Sequence, residues 1–419
     1  MMPTGSKSEW QRGWHFVALT VLGLLFAPTT VAPYTIGLFV APLQAAYGWS
    51  HGAIEAAILF STGFGLVGGP LAGWLVRRFG IRRAILSGVL GIGLALALVP
   101  TLQGALWQFY LFYALIALLG SGASAVTWSC LIAERFTASR GLALGVALSG
   151  TGLSAILTPR LAEVGLELGG WRVAYLALAA FPIIVTLPAC LLLLPHVARG
   201  DSATDATESG HDSIDLADAI RGRHFWLIGM STAAIYLAVG GIIPNLVPAI
   251  TAKGLSRADA VSIMSVLGGA IVVGRLTVGA AIDCFWAPAV ATAVLLPAAV
   301  ACLILTSNAS ILMYVAAVAM LGAATGMEFD MLGYLVARYF GLRDYARIYG
   351  RLYTFLAVAA GGAPFAFGAL YDQLRSYQAA FVVSAFLLVA GAAGLLLLGR
   401  YPDRSTTCSA TGIRNSSAP

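Results

Sequence analysis

Charge is what this sequence has least of. Only 10% of its 419 residues are Asp, Glu, Lys or Arg, whereas a soluble domain carries roughly 25% because water must wet its surface. A soluble globular protein is thereby excluded. Cysteine is also sparse: Cys130, Cys190, Cys284, Cys302 and Cys408 are scattered, with no metal-ligand spacing and no disulfide framework. No Ser/His/Asp grouping points to an enzyme, and no glycine-rich nucleotide loop points to primary transport or to any cofactor. Nothing reads as a cleaved leader, because the first apolar run follows Trp14, is too long and lacks a small-residue cleavage site.

Apolar residues fill the space that charge leaves. They make up 59% of the chain, and mean hydropathy is +0.87. Runs of about 20 apolar residues cross ~30 Å of hydrocarbon as helix. Such runs recur at residues 14–42, 50–76, 81–101, 105–133, 138–166, 171–195, 223–250, 256–284, 287–306, 309–338, 343–372 and 376–400, here numbered spans 1 to 12. The expected class is an all-α integral membrane protein of twelve transmembrane helices. The 48 glycines suit helices that approach closely in lipid.

The basic residues set the expected orientation. With the N-terminus inside, 18 Lys and Arg lie on the cytoplasmic side and 4 on the other, namely Arg172, Lys253, Arg257 and Arg375. That asymmetry places both termini in the cytoplasm of a multi-pass protein of the cell (inner or plasma) membrane. It also accounts for the net charge of +6 without nucleic acid. Residues 196–222 are rich in Asp, Ser, Thr and Gly and read as a cytoplasmic linker with a short amphipathic turn at Ile214–Ile220. The chain then divides into a six-helix bundle over 1–195, a second over 223–400 and a cytoplasmic tail over 401–419, expected to work as a monomer in the lipid bilayer.

The halves echo each other at a shift of about 205 residues. Phe136 aligns with Phe340, Gly145 with Gly350, Pro159 with Pro364, Gly73 with Gly279 and Arg77 with Asp283. Two related bundles imply a solute site at their interface and access that alternates as one half rocks on the other.

The loop after span 2 reads GPLAGWLVRRFGIRR. Gly69 and Gly73 share one helix face, where they allow close packing at a cytoplasmic gate, and Arg77, Arg78, Arg82 and Arg83 suit helix C-termini and anionic lipid. This loop resembles the signature of the major facilitator superfamily in its monocarboxylate-transporter form. It departs at Arg77, where the family usually has Asp; Asp283 keeps an acid at the repeat position. ASRGLALGVALSGTGLSAILTP (138–159), GWRVAY (170–175), HFWLIG (224–229), GMEFDMLGYLVARYFG (326–341), and IYGRLY with AP and YD (348–372) are similar to bacterial monocarboxylate and oxalate/formate transporter relatives. The resemblance implies two six-helix bundles related by a pseudo-two-fold axis, and transport of a small organic anion.

Charges inside the hydrocarbon mark the candidate site, since a charge at that depth usually faces a cavity. Arg275, roughly midway along span 8, can grip a carboxylate with its planar fork. In the resembling family the arginine of that helix binds the substrate carboxylate, and Arg275 matches its GR-x-x-x-G-x-x-x-D setting. The structural alternative is an ion pair with Glu328 or Asp330. Animal relatives have an Asp where this chain has Ile271 and a lysine near Tyr34, so one cavity cation points to a monoanion. Glu328 is the deeper acid of span 10 and the expected proton carrier; Asp330 points away from it, toward Arg347 or Arg351. Glu55, near the outer end of span 2, reads equally as a proton carrier or a solvated mouth residue. Arg160, beside Glu163 and Glu167, is expected to snorkel or pair locally. Tyr34, Thr127, Trp128, Tyr236, Asn245 and Tyr353 are candidates to shape the cavity, although such residues serve packing as readily. Proton-coupled uptake of a monocarboxylate is the leading reading, ahead of organic-anion exchange or efflux and of a non-transporting sensor.

Overall fold

The computed structural model describes residues 4–136, 140–194, 216–341 and 344–401. Most of the linker and nearly all of the tail lie outside the described residues, as do the side chains of Asp283, Glu328 and Asp330 and of the segment around Gly69. Among the described residues, nine helical stretches are long and apolar enough to cross a membrane, or ten if Ile311–Met327 and Met331–Phe340, bent by 41°, form one span. One of the nine, Leu142–Leu193, contains two spans, because Gly169 and Gly170 leave helical geometry. With the 29-residue helix His51–Phe79 the total is twelve.

Local chemistry sets the helix ends. Ser50, Ser256 and Ser310 cap spans 2, 8 and 10 by accepting the backbone N–H of Ala53, Asp259 and Met313, each satisfying a donor that the first turn leaves free. Span 2 ends with Arg77 and Arg78 in its last turn and span 10 with Arg338, where the helix dipole favours cations. These ends define an arginine-rich end of the bundle and, opposite it, a far end carrying Arg172, Lys253, Arg257 and Arg375. The turns after spans 2 and 10 both run Phe-Gly, and Gly80 and Gly341 take φ of 84° and 86°, which a side chain would oppose.

Span 1 differs from the apolar run over 14–42. It consists of Thr4–Leu24 and Pro28–Tyr47. Pro28 brings no N–H to the break, and the Thr30 hydroxyl donates to the Leu24 and Ala27 carbonyls at 3.1 and 3.0 Å. Near the expected turn at Ile214–Ile220 a short helix runs over Leu216–Arg221. The Leu216 N–H donates to Asp344 Oδ2 at 3.1 Å.

Among the described residues, three helix pairs make the main contacts between the halves: spans 2 and 11, 5 and 8, and 1 and 7. A pseudo-two-fold that exchanges the six-helix bundles carries the first pair onto the second and the third onto itself. The repeat read from glycine and proline therefore reappears as packing. Small residues bring the helices together. A Cβ on Gly37 would strike the Pro244 carbonyl; one on Gly52 would lie 2.8 Å from Ala369 N; one on Gly152 would lie 2.7 Å from the Gly268 carbonyl.

Candidate functional site

Two polar clusters lie where the halves meet. The first is at the far end and begins with the i,i+4 pair His51 and Glu55 on span 2. Their side chains share one helix face and are buried, at 1% and 0% exposure. From span 7, Asn245 (0% exposed) donates its Nδ2 to Glu55 Oε2 at 2.9 Å and to the Gly241 carbonyl at 3.0 Å. Those two bonds fix the amide orientation, so Oδ1 faces His51 Nε2 at 2.9 Å. A carbonyl oxygen only accepts, hence Nε2 carries a proton. The same Nε2 lies 3.5 Å from Glu55 Oε1, an oxygen with no hydrogen-bond partner.

Span 11 closes this cluster. Asp372 accepts the N–H groups of His51 and Gly52 at 3.1 and 2.9 Å. A carboxylate of the second half thus caps the N-terminus of a helix of the first, where the dipole favours negative charge. Gly52 permits the approach: a Cβ on Gly368 would lie 2.6 Å from Gly52 Cα and 3.0 Å from Glu55 Oε2. The Tyr377 hydroxyl lies 3.5 Å from His51 Nδ1, and Tyr371 packs its ring 5.0 Å from the imidazole.

The second cluster is built on Arg275, which sits about one turn past the midpoint of Arg257–Cys284 toward the arginine-rich end. It is 6% exposed. Its Nη1 donates to the Leu148 carbonyl at 2.6 Å and to Thr151 Oγ1 at 2.9 Å. Both acceptors belong to span 5, at the junction between Arg140–Leu148 and the helix starting at Gly150. The guanidinium therefore crosses from the second half into the first. Gly326 of span 10 lies against it, since a Cβ there would be 2.9 Å from Arg275 N. Nearer the far end on the same pair of spans, Arg160 Nε donates to Ser265 Oγ at 3.0 Å. Arg160 thus bonds across the interface, while its charge also acts on Glu163 of its own helix.

The remaining candidates divide by environment. Glu55 is no solvated mouth residue, because Asn245 and Gly368 cover it. Trp128 is 0% exposed within an apolar cluster of Phe16, Leu24 and Leu131, and a Cβ on Gly23 would strike its indole; it faces packing in this conformation, with Thr127 buried beside it. Tyr34 and Tyr353 are half-buried, and Tyr353 stacks 6.1 Å from Tyr349. Tyr236 lines a small apolar cavity with Met327 and Met331. At the arginine-rich end Arg77, Arg78 and Arg83 are exposed, while Arg82 Nη2 donates to the Leu191 carbonyl near the end of span 6 at 3.1 Å, the helix-terminus pairing expected of that loop. Among the described residues, a Cβ on Gly73 would meet only its own helix's Arg77 Nη1, at 3.4 Å. Arg347, an expected partner of Asp330, approaches Asp344 at 3.6 Å. Gly69 and the side chains of Asp283, Glu328 and Asp330, expected at the gate and the proton path, lie outside what the structure describes.

Sequence reasoning missed His51, Asp372 and Tyr377. The His-x-x-x-Glu spacing behind the Ser50 cap was the available signal; the partners lie 194, 321 and 326 residues away, beyond any local pattern.

Twelve membrane-length helices in two halves, with two polar clusters where the halves meet, have the architecture of a membrane transporter. The chain belongs to the Major Facilitator Superfamily, whose model matches residues 20–285 and 228–417. It is 28% identical over 158 residues to the MFS-type transporter pytF of Aspergillus terreus, a match that covers 36% of this chain and spans about half (49%) of that protein. It is 27% identical over 414 residues to Monocarboxylate transporter 13 of Rattus norvegicus, covering 93% of this chain and 90% of that one. Among solved structures it is similar to a bacterial homolog of the human lysosomal transporter Spinster in an inward-facing and occupied conformation, with TM-score 0.67, 16% identity and coverage of 92% of this chain and 96% of that chain.

Proposed function

We propose that this protein is a secondary active transporter that takes up a small organic monocarboxylate with protons, by alternating access, with both termini in the cytoplasm. The observation that carries the reading is Arg275. A charge at this depth is costly and usually faces a pathway, and two of its contacts reach across to a backbone carbonyl and a hydroxyl of the other half. A substrate carboxylate is a stronger acceptor than either and offers the fork two oxygens. Substrate would take Nη1 from Leu148 and Thr151, so binding and the contact between spans 5 and 8 compete. That competition converts occupancy into movement of the halves, as a differential interaction must. Tyr34, Tyr236 and Tyr353 would shape the body of the substrate, and Glu328 would carry the coupling proton. Full-length similarity to a monocarboxylate transporter supports the substrate class.

Binding to the purified protein tests this through thermal stabilisation by a monocarboxylate panel, since a ligand of the folded state raises stability with its concentration. Arg275→Ala should abolish stabilisation. Arg275→Lys keeps the charge without the fork and should weaken binding by about 1.5–3 kcal/mol, roughly tenfold to more than a hundredfold. A folded Arg275→Ala protein with wild-type stabilisation would remove the centre of the site.

A further inference from the structure

The geometry points to a second proton site, distinct from Glu328: His51 and Glu55 hold one proton between them, and that proton latches the far end shut. Span 2 supplies His51 and Glu55, span 7 supplies Asn245, span 11 supplies Tyr371 and Asp372, and the start of span 12 supplies Tyr377. Span 4 adds the Tyr110 hydroxyl, which donates to the Ala53 carbonyl at 2.9 Å. No cation other than His51 is among them.

Charge counting decides the state. With one proton beyond the neutral imidazole and the carboxylate, the pair is neutral overall, either as imidazole with carboxylic acid or as imidazolium with carboxylate. That proton sits on Glu55 at Oε1, which has no hydrogen-bond partner, or on His51 Nδ1 as imidazolium, because Nε2 already carries its own proton toward Asn245 Oδ1. Without it, the closed far end buries a carboxylate at 0% exposure, with the Asp372 carboxylate bonded to the same helix turn. An uncompensated buried charge beside a like charge is strongly unfavourable. Opening the far end relieves this, because the halves separate between Asn245 and Glu55 and water reaches the carboxylate. The closed state therefore binds one more proton than the open state. Lower pH favours closure and higher pH favours opening. Asp372 and Tyr371 are half-exposed at the rim, so the solution at the far end titrates the latch.

The inference rests on the alternating-access reading, but not on the substrate or on Arg275. The test uses spin labels at Gln103 and Gln373, exposed far-end positions on opposite halves, with Cys130, Cys284 and Cys408 replaced by alanine and the protein in lipid nanodiscs without substrate. Pulsed-EPR distances are read from pH 5.5 to 8.5. In the otherwise wild-type protein the short distance should dominate at low pH. The ratio of long to short should rise by up to about tenfold per pH unit, the limit for one proton. Glu55→Gln, which cannot ionise, should stay short across the range. A pH-invariant distribution in the wild-type background overturns the latch, and needs no variant to fold. A Glu55→Gln protein that opens with pH as the wild type does also overturns it. Loss of substrate binding or transport leaves these distances unaffected, so failure of the carboxylate reading and failure of the latch are told apart.

Discussion

Replacing Asn245 by leucine keeps the volume of the side chain and removes both bonds it makes between the halves. Glu55 Oε2 loses the donor at 2.9 Å, and His51 Nε2 loses the acceptor at 2.9 Å. Each is left buried without its partner, which costs about 1–3 kcal/mol apiece, or roughly 2–6 kcal/mol together. The penalty falls only on the conformation with the far end closed, because in the open conformation water replaces Asn245. The closed-to-open ratio should therefore fall by at least about thirtyfold. The Gln103–Gln373 distance, measured at a pH where the parent is mostly short, should shift largely to the long population. A well-folded Asn245→Leu protein with the parent's distribution would show that this network does not hold the far end closed, and the reasoning from burial would fail with it.

Other outcomes follow from the packing and the charges. A Cβ on Gly268 would strike the Gly152 carbonyl, so Gly268→Val should force spans 5 and 8 apart at about 1–3 kcal/mol, seen as a lower melting temperature; an unchanged melting temperature would mean these helices are not in backbone contact. The excess of Lys and Arg at one end predicts that alkaline phosphatase fused after Ser209 stays inactive in a bacterial host; strong activity would invert the topology.

Much of the fold was legible because hydropathy and the bilayer leave few choices. Span 9 was expected at 287–306 and runs Ala287–Thr306. Errors arose where a helix is interrupted without losing apolar character. Span 1 gained a break before Pro28 and an extension to Tyr47, and it starts earlier, at Thr4, because its first residues are too polar for a hydropathy window. The candidate site was legible only in part, because burial is a property of partners. Arg275 was singled out as a costly charge, yet two of its acceptors, a carbonyl and a hydroxyl, lie in the other half, which no spacing rule announces. Glu55 looked ambiguous since its depth along span 2 says nothing about cover; Asn245 and Gly368 supply that cover from the other half. Trp128 read as either lining or packing because composition cannot distinguish the two; in this conformation Gly23 lies against its indole.

The central claim is coupled movement of a monocarboxylate, and proteoliposome uptake tests it most directly. Purified protein is reconstituted at high internal pH, the outside is acidified, and accumulation of a radiolabelled monocarboxylate that stabilises the protein is followed beside internal pH. Accumulation above equilibrium that collapses when a protonophore dissipates the gradient, is absent in Arg275→Ala vesicles, and carries acid into the lumen is the predicted result. Equilibration that ignores the proton gradient, or uptake that requires a second organic anion inside and moves no protons, would contradict it.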